Sequence, residues 1–156
     1  MSVAQKLRSA CEHADVEYET ITHERTGCSQ ESAHAAHVPG RQLAKGVLLK
    51  DERGPVLAVL PACQHVDTDR LNDLMDRHLT MMSEKEFTDI FDDCSPGAIP
   101  ITGHAYNLLT VTDLSLFYQQ DIWMEAGDHL NLVHVSGTDF ARLMQHTSRA
   151  KITSSA

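Results

Sequence analysis

The chain has 156 residues, of which 42% are hydrophobic and 22% are charged, and these values are typical of a soluble protein with one sizeable core. Its formal net charge of −9 argues against broad, nonspecific nucleic-acid binding, which needs clustered lysine and arginine, although a local basic patch is compatible with it. No apolar stretch approaches the roughly 20 residues of a membrane helix, and the N-terminus lacks the apolar segment of a secretory signal.

Hydrophobic periodicity and turn signals divide the chain into short helices and strands. The predicted helices cover residues 2–14, a segment from Ser29 to the Pro39-Gly40 stop, a segment capped by Asp67 or Thr68, residues 83–91 and a segment capped by 136–139. The predicted strands are 16–23, the hairpin arms 46–49 and 56–60, and then 107–113, 121–126 and 130–135.

These elements predict an α+β fold, in which a mixed, curved or barrel-like sheet of about six or seven strands is surrounded by several short helices. We expect one domain over residues 1–156. Its N-terminal helix lies within residues 1–15, and residues 148–156 are expected to form a frayed, flexible tail.

Lys45 stands at the head of the predicted hairpin, directly before the apolar run 46–49. One interpretation is a strand entrance, with the aliphatic stem on apolar surface and the ammonium in water. The other is an ammonium at the rim of a pocket, where it contacts a carbonyl or phosphate and stabilises developing negative charge.

Residues 93–103 contain two glycines and two prolines, which predicts a stiff loop or a broken strand. Such a segment is either a structural turn between a helix and a strand or a loop that presents backbone groups at fixed positions.

The sequence contains no strong signal for a metal or for a nucleophile. His34 and His37 could share a helix face, but no H-E-x-x-H motif or cysteine pair accompanies them, so we predict no metal site. The four cysteines are widely spaced, as is typical of reduced thiols in the cytoplasm. We interpret Cys63, two residues before His65, as a small buried side chain. Serine-hydrolase, Walker A and dinucleotide-binding motifs are absent.

Several segments, taken in order from about Val16 to Leu143, resemble the YbaK and prolyl-tRNA-synthetase-associated domain family of trans-editing aminoacyl-tRNA deacylases. The segments are TITHERTGCSQESAHAAHVPG, LAKGVLLKDERGPVLAVLPA, VDTDRLNDLM, SEKEFTDIFDDCSPGAIP, HAYNLLTVTDLSL and AGDHLNLVHVSGTDFARLM. Their order and spacing carry the resemblance, rather than any single motif.

The resemblance implies that Lys45 is the family's functional lysine and that residues 97–101 are the family's G-x-x-x-P loop. The implied catalytic residues are Lys45, Gly97, Ala98, Ile99, Pro100 and Ile101. The substrate-binding candidates, near the strand 18–22, the helix 29–37 and the glycine that follows the loop, are Tyr18, Thr20, Thr22, His23, Ser29, Ala33 and Gly103.

The chain departs from the family pattern at the fifth loop position, where Ile101 stands and the proline, Pro100, occupies the fourth. Isoleucine keeps an N–H group and rotates more freely than proline. We therefore expect the loop to keep its course but to differ in backbone direction over residues 99–101, with an effect on the amino acid that is removed.

The implied activity is hydrolysis, in trans, of the ester of a tRNA mischarged with a small amino acid such as alanine, serine, threonine or cysteine, without a metal or organic cofactor. The implied partners are the acceptor end of aminoacyl-tRNA and, as a second candidate, an aminoacyl-tRNA synthetase; neither membrane nor DNA is expected. Two alternatives stay open. One is a catalytically weakened module that binds tRNA or a synthetase, and the other is a small-molecule hydrolase or binder that uses the same pocket.

Overall fold

The computed structural model describes residues 3–23, 29–95 and 98–154. Within these ranges the α-helices are α1 (Gln5–His13), α2 (Ser29–Ala35), α3 (Thr68–Met75), α4 (Glu84–Ile90) and α5 (Gly137–Leu143). Two short 3-10 helices cover Gly103–Tyr106 and Leu114–Tyr118. No helix in the described ranges is long and apolar enough to cross a membrane.

Three predicted helix starts are confirmed by side-chain caps. Asp67 accepts the N–H of Arg70 at the start of α3, and Ser136 accepts the N–H of Asp139 at the start of α5. Ser83 and Glu86 form a reciprocal capping box at α4. These contacts satisfy backbone donors that have no partner inside the helix, which is why short polar residues start helices in this chain.

The strands form an open, mixed sheet, which confirms the predicted fold class. They are β1 (Glu19–Thr22), β2 (Leu43–Asp51), β3 (Gly54–Pro61), β4 (His65–Val66), β5 (Thr80–Met81), β6 (Leu109–Asp113), β7 (Asp121–Glu125), β8 (Asn131–Ser136), β9 (Ser148–Ala150) and β10 (Thr153–Ser154). The main sheet has eight strands in the order β1-β8-β7-β2-β3-β6-β9, with β5 paired to β2. The pairs β2–β7, β3–β6 and β6–β9 are parallel.

The predicted hairpin is the centre of this sheet. β2 and β3 pair antiparallel from Ala44 opposite Pro61 to Asp51 opposite Gly54. Gly54 closes the turn with a φ of 115°, a backbone conformation that favours glycine. Opposite this turn, the buried Arg77 guanidinium donates from Nε to Asp51 at 2.8 Å, and its hydrogen bonds hold the pKa of Asp51 well below the usual range.

The two faces of the sheet bury different side chains, because side chains alternate along a strand. Ala44 and Leu48 of β2 join a large apolar cluster with Leu7 of α1 and Phe140 of α5. We call this side of the sheet the α1 face. Lys45 and its alternate neighbours on β2 point to the opposite side, which we call the Lys45 face.

The Lys45 face carries two smaller apolar clusters. One contains Leu49 of β2 and Leu60 of β3. The other contains Leu43 of β2, Ala33 of α2 and Ala62, the residue after β3. Lys45 therefore lies on its strand between the positions that contribute to these two clusters.

The predicted frayed tail at 148–156 is wrong over residues 148–154. Residues 148–150 extend the sheet as β9, and residues 153–154 pair with β4 as β10. Ile152 is fully buried, and its N–H donates to Asp113 Oδ1 at 2.9 Å. The buried Ile152 side chain and the Asp113 carboxylate thus hold this segment in place, although its polar composition gives no periodic signal for a strand. Residues 155–156 lie outside the described ranges.

Replacing Asp113 with alanine should destabilise the protein and release this C-terminal segment. Asp113 is 1% exposed and accepts the N–H groups of Ile152 and Ser115. We expect the free energy of unfolding to fall by about 1–3 kcal/mol, because two donors lose their acceptor. Urea unfolding measures this, with the exposed Asp73→Ala of α3 as the control; equal stability of the two variants would contradict the prediction.

Candidate active site

Lys45 is half-buried on the Lys45 face of β2. It pairs across the hairpin with Leu60, and its Nζ donates to the carbonyl oxygen of Ala62 at 3.3 Å. The ammonium is thus directed along the sheet toward the end of β3. A compact cation held by a backbone carbonyl in a partly shielded position can also receive a negatively charged oxygen of a ligand.

A buried carboxylate, Glu125, occupies the neighbouring strand beside Lys45. β2 and β7 run parallel with Leu43 opposite Trp123 and Ala44 opposite Met124. Continuing this register by one residue places Lys45 next to Glu125, on the same face and at the usual strand spacing. Glu125 is 1% exposed, and a buried charge is costly unless it is compensated. Lys45, a group of opposite charge, stands at the neighbouring position of the adjacent strand.

The loop that follows Gly97 packs against β2 from the other side. Ala98, Ile99 and Ile101 are buried in or beside the α1-face core. A Cβ placed on Gly46 would lie 3.4 Å from Cδ1 of Ile99. The loop therefore contacts the strand one residue after Lys45, while the Lys45 side chain leaves the opposite face. Gly97 lies outside the described residues.

Pro100 and Ile101 are both buried, and the Ile101 carbonyl accepts the N–H of Gly103 at 3.0 Å. The side chains of this loop serve the core, so a ligand would meet its backbone rather than its apolar groups.

The entry to the loop is held by a cluster of polar side chains. The hydroxyl of Tyr106 donates to Asp93 Oδ1 at 2.7 Å, and the thiol of Cys94 contacts the same oxygen at 3.1 Å. The Ser95 N–H donates to the Gly127 carbonyl at 2.7 Å. Burial alone would raise the pKa of Asp93, but the hydrogen bonds from Cys94 and Tyr106 lower it overall. These contacts fix the chain directly before the loop.

Two buried cysteines, Cys11 and Cys94, offer little thiolate for covalent catalysis. Burial, followed by the hydrogen bond to Asp93, raises the pKa of Cys94 to about 12. Burial raises the pKa of Cys11 to about 11. Cys63 is exposed, so its predicted burial is wrong: it stands in the turn after β3, where the chain has left the hairpin core.

Gly103 meets a packing requirement. It starts the first 3-10 helix, and a Cβ there would lie 2.0 Å from Thr110 Oγ1 and 3.0 Å from Leu57 Cδ2. The segment after the loop can approach β3 and β6 this closely only because residue 103 has no side chain.

The predicted substrate-binding residues divide between the two faces. Ala33 is buried in the cluster that contains Leu43 and Ala62, on the same face as Lys45. Tyr18 packs against the α1-face core. Thr20 and Thr22 are exposed and alternate with Ile21, which packs on the Lys45 face.

Thr22 donates its hydroxyl to Asn131 Oδ1 at 2.8 Å. His23 is buried, and its N–H donates to the Leu130 carbonyl at 2.8 Å. Ser29 begins α2. Ala33 packs on the Lys45 face, and His23, two residues after Ile21, continues the alternation of β1 toward that same face.

Two aromatic rings that the sequence did not single out also lie on the Lys45 face. Trp123 of β7 and His134 of β8 are stacked with their centroids 4.4 Å apart. His134 Nε2 lies 2.8 Å from Asp121, and Nδ1 lies 3.6 Å from Glu19. The alternation of side chains along β7 is enough to predict that Trp123 and Glu125 share a face. Their position beside Lys45 could not be predicted, because the pairing of β7 with β2 joins distant segments and gives no sequence signal.

No group of three potential metal-ligating side chains occurs in the described ranges. His34 and His37 are exposed, and His37 has a left-handed backbone with a φ of 59°, so it has left the α2 helix whose face the pair was expected to share.

Comparison with known families gives a match over residues 23–143 to the family described as the aminoacyl-tRNA editing domain. The chain belongs to this family. The match includes both Lys45 and the loop at 97–101, and it confirms the family inferred from the sequence.

Solved structures share the fold at low sequence identity. Hypothetical protein APE2540 has a TM-score of 0.83 at 15% identity, with 96% of this chain and 100% of that chain covered. A candidate trans-editing enzyme for prolyl-tRNA synthetase has a TM-score of 0.80 at 18% identity, with 97% of each chain covered. Part of a candidate signal transduction protein from Marinobacter aquaeolei VT8 has a TM-score of 0.77 at 18% identity; the match covers 96% of this chain and 30% of that chain. The search of curated proteins gives no match.

Proposed function

We propose that the protein is an aminoacyl-tRNA deacylase, which acts in trans and in the cytoplasm to hydrolyse the ester between a tRNA and a wrongly attached small amino acid. The observation that carries the proposal is the half-buried Lys45, whose ammonium lies at the Ala62 carbonyl within the segment that matches the editing-domain family. This is a rigid position for a cation, because it stands on the central strand of the sheet.

The reaction needs a water molecule and stabilisation of a negative oxygen. The water oxygen adds to the ester carbonyl carbon, the ester C–O bond breaks, and the ribose oxygen leaves as a hydroxyl with the proton that the water loses. Lys45 would contact the carbonyl oxygen as it becomes negative, or the terminal phosphate of the tRNA. The neighbouring ribose hydroxyl would orient the water. The raised pKa values of Cys11 and Cys94 make these two thiols weak nucleophiles.

Glu125 would act as a positioning residue for Lys45. The register of β2 and β7, continued by one residue past Ala44 and Met124, brings the two positions onto neighbouring strands, and the carboxylate would orient the ammonium. Such a pair limits the motion of a flexible lysine stem, which makes the cation available at one place.

Selection for a small amino acid would come from the size of the site. Ala33, Leu43 and Ala62 pack together on the Lys45 face, so an aminoacyl group bound beside Lys45 would meet an apolar surface there. A second sieve of this kind removes small amino acids that a synthetase cannot reject by binding alone. Alanine, serine, threonine and cysteine are the proposed candidates.

The two alternatives differ from the enzyme in simple assays. A module that only binds tRNA or a synthetase would show no deacylation on any mischarged tRNA of a panel. A small-molecule hydrolase or binder would show no salt-dependent binding to tRNA, because that dependence comes from contacts with phosphates.

Replacing Lys45 with alanine should lower deacylation by about 10²-fold or more, a typical loss for an electrostatic stabiliser. The matched control is Lys50→Ala, since Lys50 stands on the same strand but pairs with Glu86 at the surface. Rates are measured on the best mischarged tRNA, and circular dichroism checks the fold. Near-wild-type rates for Lys45→Ala would show that this lysine has only a structural role in the strand.

Replacing Glu125 with glutamine should lower kcat by roughly 10-fold while KM changes little, because the loss falls on the oriented cation rather than on tRNA contacts. The exposed Glu17→Gln is the control for loss of one negative charge. Full kinetics on one substrate separate the two parameters. A variant that unfolds at lower temperature but keeps kcat would show that Glu125 has a structural role only.

Replacing Ile101 with proline should change the ranking of mischarged tRNAs and also reduce stability. The loop direction changes because proline fixes φ, and the fully buried Ile101 loses apolar contacts worth roughly 1–2 kcal/mol. Ile101→Val trims the side chain but keeps the N–H, so it is the control. If the ranking of mischarged tRNAs and the tRNA affinity are both unchanged, the loop does not determine which amino acid is removed.

Deacylation should survive exhaustive treatment with EDTA, because no set of three ligating side chains occurs in the described ranges and the sequence shows no spacing typical of zinc sites. The assay compares treated and untreated enzyme on one tRNA. Loss of activity that zinc restores would contradict this expectation and direct attention to His34 and His37.

A further inference from the structure

A groove on the α1 face, remote from the Lys45 side chain, has an unusual charge for this protein. It lies between α1, the first 3-10 helix and the end of α5, and it has a volume of about 330 Å³. Five of its lining residues can carry a positive charge, and no lining residue is acidic; the five are Lys6, His13, His104, Arg142 and His146. The chain as a whole has 22 acidic residues against 13 lysines and arginines, so a groove lined by two permanent cations, three histidines and no carboxylate differs from the overall composition.

The two permanent cations are oriented at the groove by nearby groups, and Asp139 partly offsets the charge of Arg142. Arg142 donates from Nη1 to the Asp15 carbonyl at 2.9 Å, and the same nitrogen lies 3.5 Å from Asp139 Oδ1. Both contacts use the Nη1 nitrogen, so they orient the guanidinium without engaging its other nitrogens. The Nζ of Lys6 lies 4.8 Å from the centre of the Tyr106 ring, which places the ammonium over the groove without neutralising it.

The imidazoles and the apolar floor suit a ring rather than a bare ion. Burial lowers the pKa of His104, and the charge of His146 lowers it further, so these two rings are close neighbours. Ala10, Ala14 and Leu143 line the groove with apolar atoms. Sites for small organic ligands typically combine a mostly apolar wall with a few polar groups, in volumes of roughly 300–1,000 Å³.

We propose that this groove binds a small organic phosphate monoester with a flat ring, of the size of a nucleoside 5′-monophosphate. The dianionic phosphate matches the two fixed cations, Lys6 and Arg142, and arginine presents paired donors that suit phosphate oxygens. The ring lies against the alanines of α1 and the imidazoles. The occupant is a free small molecule, and the site is separate from the proposed deacylation chemistry because Lys45 points to the other face of the sheet.

The test is titration of the whole protein with AMP, adenosine and inorganic phosphate, followed by calorimetry and by NMR of the histidine ring protons. We expect AMP to bind and to shift the signals of His104 and His146. We expect adenosine, which lacks the phosphate, to bind at least about 10-fold more weakly, because it loses the charge-assisted hydrogen bonds. Equal affinity for adenosine and AMP, or no binding of AMP, would overturn the proposal.

Two variants locate the site. The double variant Lys6→Gln, Arg142→Gln should lose roughly 30-fold or more in AMP affinity, while the control Arg41→Gln, Lys151→Gln removes the same charge from exposed positions outside the groove and should lose little. Ala14→Phe fills the apolar floor without changing charge and should also weaken AMP binding. If the control loses as much affinity as the groove variants, attraction is nonspecific and the groove is not a site.

A last pair of measurements separates this proposal from the deacylase and from RNA binding. Lys45→Ala should keep full AMP affinity, whether or not it has lost deacylation. A tRNA with and without its 5′-phosphate is titrated in parallel. If the groove bound only the phosphorylated tRNA and no mononucleotide, the proposed free ligand would be wrong.

Discussion

The alternation of side chains along β2 is the constraint on which the rest of the structure depends. β2 pairs with β3, β5 and β7, so its register decides which residues enter the core on both faces. A slip of one residue would turn the Lys45 ammonium into the large α1-face cluster and move Ala44 and Leu48 to the Lys45 face. The apolar residues on both sides of the strand therefore fix the face on which the lysine stands.

This position is costly for a charged group and needs compensation. Lys45 lies between two apolar clusters, and leaving an ammonium there without a partner would be unfavourable. The carbonyl of Ala62 accepts one of its hydrogen bonds, and the neighbouring register position supplies the buried carboxylate of Glu125. A hydrophobic residue would serve the packing of β2 at least as well. Folding alone would not require a lysine beside a glutamate at these positions, whereas a functional site would.

The sequence predicts those features whose causes are local. The hairpin follows from two apolar runs around a turn, and the caps at Asp67, Ser83 and Ser136 follow from short side chains that can reach nearby backbone donors. The tail was missed because its order comes from Ile152 and Asp113, which are far apart in the chain. Glu125 was missed for the same reason: its neighbour on β2 is set by a parallel pairing between distant segments.

The division of the site between two faces changes how the loop and the lysine can cooperate. The resemblance to editing domains treats Lys45 and residues 97–101 as one site, yet the described part of the loop packs on the α1 face against Gly46. Because Gly46 has no side chain, Ile99 rests directly on the strand that carries Lys45. A change in loop shape at Ile99 would therefore act directly on the backbone of β2. In a close-packed interior, small displacements are transmitted to neighbouring residues. The loop can therefore change the position of Lys45 through its contact with the α1 face of β2.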